Sequence, residues 1–545
     1  MQITLLTYAW VIATTCHTEP ESFAYLLTHG NVTRASFSSV GTIPPNAPPL
    51  RSLKQLSLTN FTPGDIEVLE NKDVPVKETV EVLYLGLGYA HRDSAPSVID
   101  LGSISKLKSL SIDGHNMEIA LSIPTSCISL SLRACELDGG LRNILINAQL
   151  QDFQYSSSVN SSSGMASGTI DLDDIRAVQS HKTLRSLRLE GNLSPDFRFK
   201  LTELSRLNRL ELVRCNASIG SLPHSLEHVA LEFTALSHST LAAIVSLPHL
   251  KSLTLNNCKL SLNARDLASV HFPDSLRELL VISRTGAEIA LATSAPSECR
   301  VAAQILKPAV PLAVFAKTVD VLRTHVSPEN ENEVTSLVDA RVSDLTLFGE
   351  VSESKYVSML LKSRTLRYLN LLDFTCAQPV ENIDNPSQSF VQFGTRLYEG
   401  DVSSLLRAVS KMKNLDALSI EYCDLPGTWK ELIESQKNLK SLSLRGSRSF
   451  QHRFGPMDFR GLNNLTRLDL SFTNPEYTDV FRIRLPPMLT ELVFEGNAAL
   501  IDGKIRHDGE RLSELRLIGS CVDIQNLVGP AVRSCVVGNL SLIHI

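Results

Sequence analysis

A chain of 545 residues is far longer than one ordinary hydrophobic core, so it holds either several domains or a repeated unit. Its composition is ordinary for a globular protein: 43% apolar, 20% charged, with a formal charge of −6 and both signs mixed throughout. There is no basic block, and no segment reaches the roughly 18 continuous apolar residues of a spanning helix. Nucleic acid, anionic membrane and an integral membrane span are therefore poor expectations.

Residues 1–16 open with an apolar run (residues 3–16, ITLLTYAWVIATTC) that ends in small residues. It has the length of a secretory h-region but no Lys or Arg ahead of it. It reads either as a signal peptide or as a first strand or helix that covers one end of the fold. Residues 17–50 form an N-terminal cap and a proline-rich lead-in loop, GTIPPNAPP at residues 41–49. From Leu53 a phrase returns about every 20 to 27 residues. Its clearest copies are Leu207-x-x-Leu210-x-Leu212-x-x-Cys215 and Leu250-x-x-Leu253-x-Leu255-x-x-Cys258-x-Leu260. Two more are Leu184-x-x-Leu187-x-Leu189-x-x-Asn192 and Leu415-x-x-Leu418-x-Ile420-x-x-Cys423-x-Leu425. Starts fall at Leu53, Val80, Leu107, Cys127, Leu150, Leu184, Leu207, Leu226, Leu250 and Leu276, a first half-array at residues 51–285. They resume at Val342, Leu366, Leu415, Leu439, Leu465, Leu489, Leu512 and Val532, a second half-array at residues 342–545.

Within each phrase apolar positions alternate, as in a short strand with one buried face. A parallel neighbour requires a crossover, and several returns read as helices. Asp401 heads the helical spacing Val402, Leu405, Leu406, Val409 and Met412. Thr428 to Glu431 fits a capping box, and residues 239–246 read as a third helix. The shortest returns have room only for extended or 3₁₀ turns. A lone repeat loses to chain entropy, so its stability comes from stacked neighbours. Three stretches break the period. Residues 156–168 (SSSVNSSSGMASG) read as a mobile surface loop, and residues 286–341 as an irregular segment or degenerate repeats. Residues 376–390 read as a loop excursion within a spacing of about two repeats.

Motifs that would carry chemistry are weak. Cys521-Val-Asp523 falls inside a repeat, and Leu85-Gly-Leu-Gly88 lacks a third glycine and a P-loop lysine. His224-Ser-Leu-Glu227-His228 has a zinc-protease spacing, but that chemistry needs a helix and this stretch runs into a strand. Asp171, Asp173 and Asp174 read as a solvated helix start. No metal site, cofactor motif or catalytic constellation is expected. Cys135, Cys215, Cys258 and Cys423 share the phrase's buried Asn/Cys position, where a thiol acts as a small apolar group; that usage fits a reducing compartment. Seven N-x-[S/T] sequons pull toward secretion, with Asn31, Asn60, Asn160 and Asn464 as glycosylation candidates.

The repeats resemble the leucine-rich-repeat superfamily. The helix-containing, cysteine-bearing copies look most like its ribonuclease-inhibitor-like class, although Thr234, Phe374, Ser447 and Thr473 depart from the Asn/Cys position. The resemblance implies an α/β solenoid: a curved horseshoe with parallel strands on the concave face and helices and extended turns on the convex face. It also implies a non-catalytic scaffold that holds a protein partner on the concave face, secreted or surface-displayed, or alternatively an intracellular adaptor or regulator. Outward strand positions include Ser57, Ser111, Ser131, Glu211, Thr254, Asn370, Ser419, Ser443 and Asp469. The candidate contacts are Tyr84, Arg188, Glu190, Tyr368, Glu421, Arg445, Arg467 and Arg516.

Overall fold

A computed structural model describes residues 97–495 apart from a series of short gaps, together with residues 9–14, 32–37, 53–61, 76–87, 500–501, 514–518, 521–522 and 534–538. The chain divides into two compact units. The first comprises Glu19–Ser283 and Ala287–Ala302; the second comprises Met1–Thr18, Arg284–Gly286 and Ala303–Ile545.

In the first unit the strands follow one another in chain order and pair parallel. They are Val32–Phe37, Gln55–Phe61, Val82–Leu87, Ser109–Ser122, Ser129–Leu137, Asp152–Ser156, Ser186–Glu190, Arg209–Val213, His228–Glu232, Ser252–Asn256 and Glu278–Ser283. The pairing is in phase with the sequence phrase. Ser186 faces Arg209, Arg209 faces His228 and His228 faces Ser252, each two residues beyond its repeat's first leucine. The ladder starts one residue earlier. The Arg185 carbonyl accepts the N–H groups of Asn208 and Arg209, and the Asn208 carbonyl accepts those of Glu227 and His228. The anchors Leu184, Leu187, Leu189, Leu207, Leu210, Leu226 and Leu231 have no measurable exposure. Each contributes about 1.5–3 kcal/mol on full burial, and only because the next repeat covers it.

The returns are built as their lengths dictate. His238–Val245 is a helix whose N-cap, Ser237, accepts the Thr240 N–H at 3.2 Å. The 19-residue return after Leu207 is extended, and its Ser218–Ser221 segment pairs parallel with Arg198–Lys200. Two expectations change here. The serine-rich stretch contains a short antiparallel pair, Val159–Asn160 with Met165–Ala166, so part of it is ordered by backbone hydrogen bonds. Asp174 is not merely a solvated helix start. It lies in the first turn of Leu172–Gln179, and its Oδ1 accepts the Leu141 N–H at 2.7 Å, capping the Gly140–Leu145 helix of the preceding repeat.

The second unit repeats the plan with Val321–Thr324, Asp344–Val351, Tyr368–Cys376, Gln392–Leu397, Ala417–Glu421, Ser441–Ser443, Arg467–Asp469, Glu491–Glu495, Glu514–Ile518 and Ser534–Gly538, again parallel and in phase. Ala9–Thr14, inside the N-terminal apolar run, pairs parallel with Ser534–Gly538. Ser403–Ser410 is the helix expected after Asp401. Val402 is its N-cap residue and makes no side-chain cap bond; Asp401 lies outside the described residues, as does Thr428 ahead of the Trp429–Glu434 helix.

Two places held repeats that the phrase conceals. Between Leu366 and Leu415 the strand Gln392–Leu397 is anchored by Phe390, Phe393 and Thr395, all buried, so aromatic and hydroxyl side chains stand where leucines were sought. Residues 286–341 contain the strands Arg300–Ile305 and Val321–Thr324 and the helix Glu331–Val338. There Val319, Leu322 and Thr324 serve as buried anchors, while Cys299 and Val301 are one residue closer than the phrase requires. The architecture is a leucine-rich-repeat solenoid.

Candidate binding surface

Strict alternation would turn the residue before the Asn/Cys position inward and the Asn/Cys residue outward, because positions one, four and six of the phrase already point in. Several of the described repeats avoid this with one left-handed residue. Ala134, Arg214, Phe233, Asn257, Asp373 and Tyr422 all have φ between 48° and 56° and all stand immediately before the Asn/Cys position; Gly446 does the same at 66°. That step resets the parity. The following side chain then enters the core, where it bonds carbonyls of its own strand and of the preceding one. Cys215 Sγ donates to Leu189 O at 3.6 Å and Val213 O at 3.4 Å, and Cys258 Sγ donates to Leu231 O at 3.2 Å. Thr234 Oγ1 donates to Leu212 O at 3.3 Å and Glu232 O at 2.9 Å, and Ser447 Oγ to Ile420 O at 2.7 Å. Thr234 and Ser447 thus fill the Asn/Cys role; the Phe374 side chain and Thr473 lie outside the described residues. Burial pushes the Cys135 and Cys215 thiols up to about 12 and the Cys127 thiol up to about 11.

The phrase, its register and this buried rung settle the class. The fold is that of a leucine-rich-repeat solenoid. No family model and no curated protein matches the sequence. Among solved structures it is similar to an internalin from Listeria monocytogenes (15% identity, TM-score 0.33, 56% of this chain and 84% of that one). It is also similar to TLR13 in complex with a single-stranded RNA (16% identity, TM-score 0.42, 95% and 82%). A third is a leucine-rich-repeat protein of Leptospira interrogans (15% identity, TM-score 0.29, 82% and 95%). The fold rests on the chain's own register, not on these distant likenesses.

The outward residues of the first unit fall into two zones. From Leu53 to Cys127 the central row is Ser57, Tyr84, Ser111 and Ser131. Tyr84 is half-buried, and burial together with the Asp113 carboxylate pushes its hydroxyl up. From Leu150 to Leu250 the face is charged. Arg188 bonds Glu211 and lies 3.9 Å from Glu190, and Arg214 reaches Glu190 at 2.8 Å. Beside this pair Ser186 floors a shallow polar hollow of about 550 Å³ walled by Asp152, Gln154, Arg188, Asn208, Arg209, Glu211 and His228. Among the described residues, the Asp152, Gln154, Asn208 and Arg209 side chains make no hydrogen bond or ion pair within the chain. His224 and His228 share no helix face: His224 is exposed in a turn, His228 opens a strand, and Glu227 between them is held by Lys251 at 2.7 Å, which lowers its pKa.

In the second unit Arg396 reaches Glu421 at 3.1 Å and Asp373 at 3.7 Å and lies over the Tyr422 ring, 5.4 Å from its centre. Ser419 Oγ also donates to Glu421 at 2.9 Å. Tyr368 is half-buried on its strand, Arg445 is half-buried in the turn that follows Ser441–Ser443, and Arg467 is exposed and paired with Glu491 at 3.0 Å. Asp469 is nearly buried, and its Oδ1 accepts the Ser471 N–H at 2.9 Å, so it shapes its own turn rather than the open face. The Arg516 side chain, and those of Asn60 and Asn160, lie outside the described residues, as does Asn31. Asn464 is exposed, but its Nδ2 donates to Lys437 O at 2.8 Å, as Asn438 Nδ2 does to Lys413 O.

Sequence reasoning missed the left-handed step itself and, with it, Arg214, Phe233, Arg396 and Tyr422. Phe233 and Tyr422 are 46% and 47% exposed, unusual for large apolar side chains. A signal was present: Gly191, Gly349, Gly446 and Asn257, residue types that tolerate left-handed backbone, recur at this one place.

Proposed function

We propose that the chain is a non-catalytic scaffold that holds a protein partner on its strand face, chiefly at the charged zone of the first unit. The observation that carries this is the set of unspent side chains around the Ser186 hollow: Asp152, Gln154, Asn208 and Arg209 present donors and acceptors without internal partners. Mixed chemistry of this kind suits a protein surface. It suits a polyanion poorly, because Arg188, Arg209 and Arg214 share this face with the carboxylates Asp152, Glu190, Glu211 and Glu232. The buried hydroxyl and thiol rungs support the ribonuclease-inhibitor-like class. The N-terminal apolar run and the sequons support secretion or surface display. The buried, high-pKa thiols support the intracellular alternative; intact mass and N-terminal sequence of the native protein separate the two.

The binding test uses the immobilised full chain and compares proteins captured by wild type, by Asp152→Arg with Arg209→Asp, and by Arg176→Ala on the Leu172–Gln179 helix. A partner kept by wild type and Arg176→Ala but lost by the double variant supports the reading. A partner that ignores the double variant, or capture of single-stranded RNA alone, overturns it.

A further inference from the structure

The carboxylate and ring at the end of the His228–Glu232 strand form a second feature of this face, distinct from the hollow. Phe233 is held in the left-handed region at φ 48° with nearly half its surface in solvent. An aromatic side chain gains nothing from such a backbone, and exposure forgoes its hydrophobic burial. It does have a cationic neighbour. The Arg214 guanidinium lies 5.4 Å from the ring centre, and Arg214 is itself tethered by Glu190 at 2.8 Å. One residue earlier in the chain, the Glu232 carboxylate accepts a hydrogen bond from Asn256 Nδ2 at 2.6 Å and, among the described residues, meets no cation. Asn257 Nδ2 in turn donates to Asn256 Oδ1 at 2.9 Å, so the amide is oriented from behind.

The charge at this edge is unbalanced. Glu190, Glu211 and Glu232 stand against Arg188 and Arg214, which leaves one carboxylate uncompensated. Arg209 does not correct this. It is the first residue of its strand, whereas Glu232 is the last of the next, so the two lie at opposite edges of the face. A half-exposed ring one residue from an uncompensated carboxylate is complementary to a cationic side chain with an apolar stem: the stem covers the ring and the charge meets the acid.

We propose that Phe233 and Glu232 form an anchor for a lysine or arginine side chain of the partner protein. This rests on the protein-binding reading above but makes a narrower claim. The second unit repeats only part of this arrangement: Arg396 lies over the Tyr422 ring as Arg214 lies over Phe233, but there Glu421 is itself paired with Arg396.

The test is selection of a random-peptide phage library on the immobilised full chain, repeated with Glu232→Gln and Phe233→Ala. Glutamine keeps the acceptor for Asn256 and removes only the charge; alanine is tolerated in this backbone, since Ala134 has φ 49°. Circular dichroism confirms that each variant is folded. The expected result is peptides enriched in Lys or Arg that bind Glu232→Gln and Phe233→Ala about tenfold or more weakly than wild type. No enrichment of basic residues, or binding unchanged in both variants, overturns the anchor. If such peptides remain sensitive to the Asp152→Arg, Arg209→Asp variant, the strand-face reading stands while the anchor falls. If they ignore both, both fall.

Discussion

Two adjacent positions of the repeat behave in opposite ways. The inward rung accepts Cys135, Cys215, Thr234, Cys258, Cys423 or Ser447, small side chains with one weak or moderate donor, and uses each of them the same way. The step just before it accepts Ala134, Arg214, Phe233, Asn257, Asp373, Tyr422 or Gly446, with nothing in common but a left-handed backbone. The rung is constrained by volume and by carbonyls awaiting a donor. The step is constrained only by its φ, and its side chain is at liberty to serve something outside the chain. Chemical uniformity therefore marks the fold, and diversity at fixed geometry marks positions that the fold does not constrain.

The comparison breaks first at the core. Leu231→Ala removes an anchor with no exposure, between Leu212 and Leu255 in the register, and is expected to cost about 2–5 kcal/mol in urea unfolding. A cost below about 1 kcal/mol would mean that neighbouring repeats do not cover it. Next comes the rung. Thr234→Val deletes the donor to Leu212 O and Glu232 O at nearly constant volume and should cost about 1–3 kcal/mol, whereas Thr234→Cys should be close to neutral. Equal losses in the two variants would show that volume, not the donor, is what the rung supplies.

The legible and illegible parts of the sequence divide along the same line. Leu207, Leu210 and Leu212 declared their strand because identical anchors recur at a fixed spacing, and every start so identified from Leu53 to Val532 is in phase with its neighbour. Phe390 and Phe393 hid a repeat because aromatic anchors fill the same volume without matching the letter. The candidate surface was harder to read. Arg188 and Glu421 lie on strand positions that alternation predicts. Phe233 and Tyr422 lie one residue past the last predictable position, where only backbone geometry decides which way a side chain turns.

The thiols sharpen the rung at alkaline pH. Cys215 stays neutral when folded until about pH 12, against an ordinary value near 9, because burial penalises the thiolate. Between those values the unfolded chain has lost a proton that the folded chain keeps, so stability is intact below about pH 9 and falls as pH rises toward 12. At pH 10 that loss is on the order of 1 kcal/mol. Cys215→Thr, which keeps a donor as Thr234 does, should narrow the difference in unfolding free energy between pH 8 and pH 10 by about that amount. No narrowing would mean that Cys215 is already ionisable in the folded chain.

The smallest stability effect is expected at the step. Phe233→Gly relieves an L-residue of its left-handed backbone, worth roughly 1–2 kcal/mol, but gives the unfolded chain more freedom, worth roughly 0.4–1 kcal/mol, and loses the contact with Arg214. These terms nearly cancel, so urea unfolding should shift by only a few tenths of a kcal/mol. A side chain with so little effect on folding, kept large, apolar and half in solvent, has to be justified by what it touches outside the chain. Loss of more than about 2 kcal/mol in this variant would reverse the argument: Phe233 would then be part of the scaffold, and its exposure a residue of packing rather than an offer to a partner.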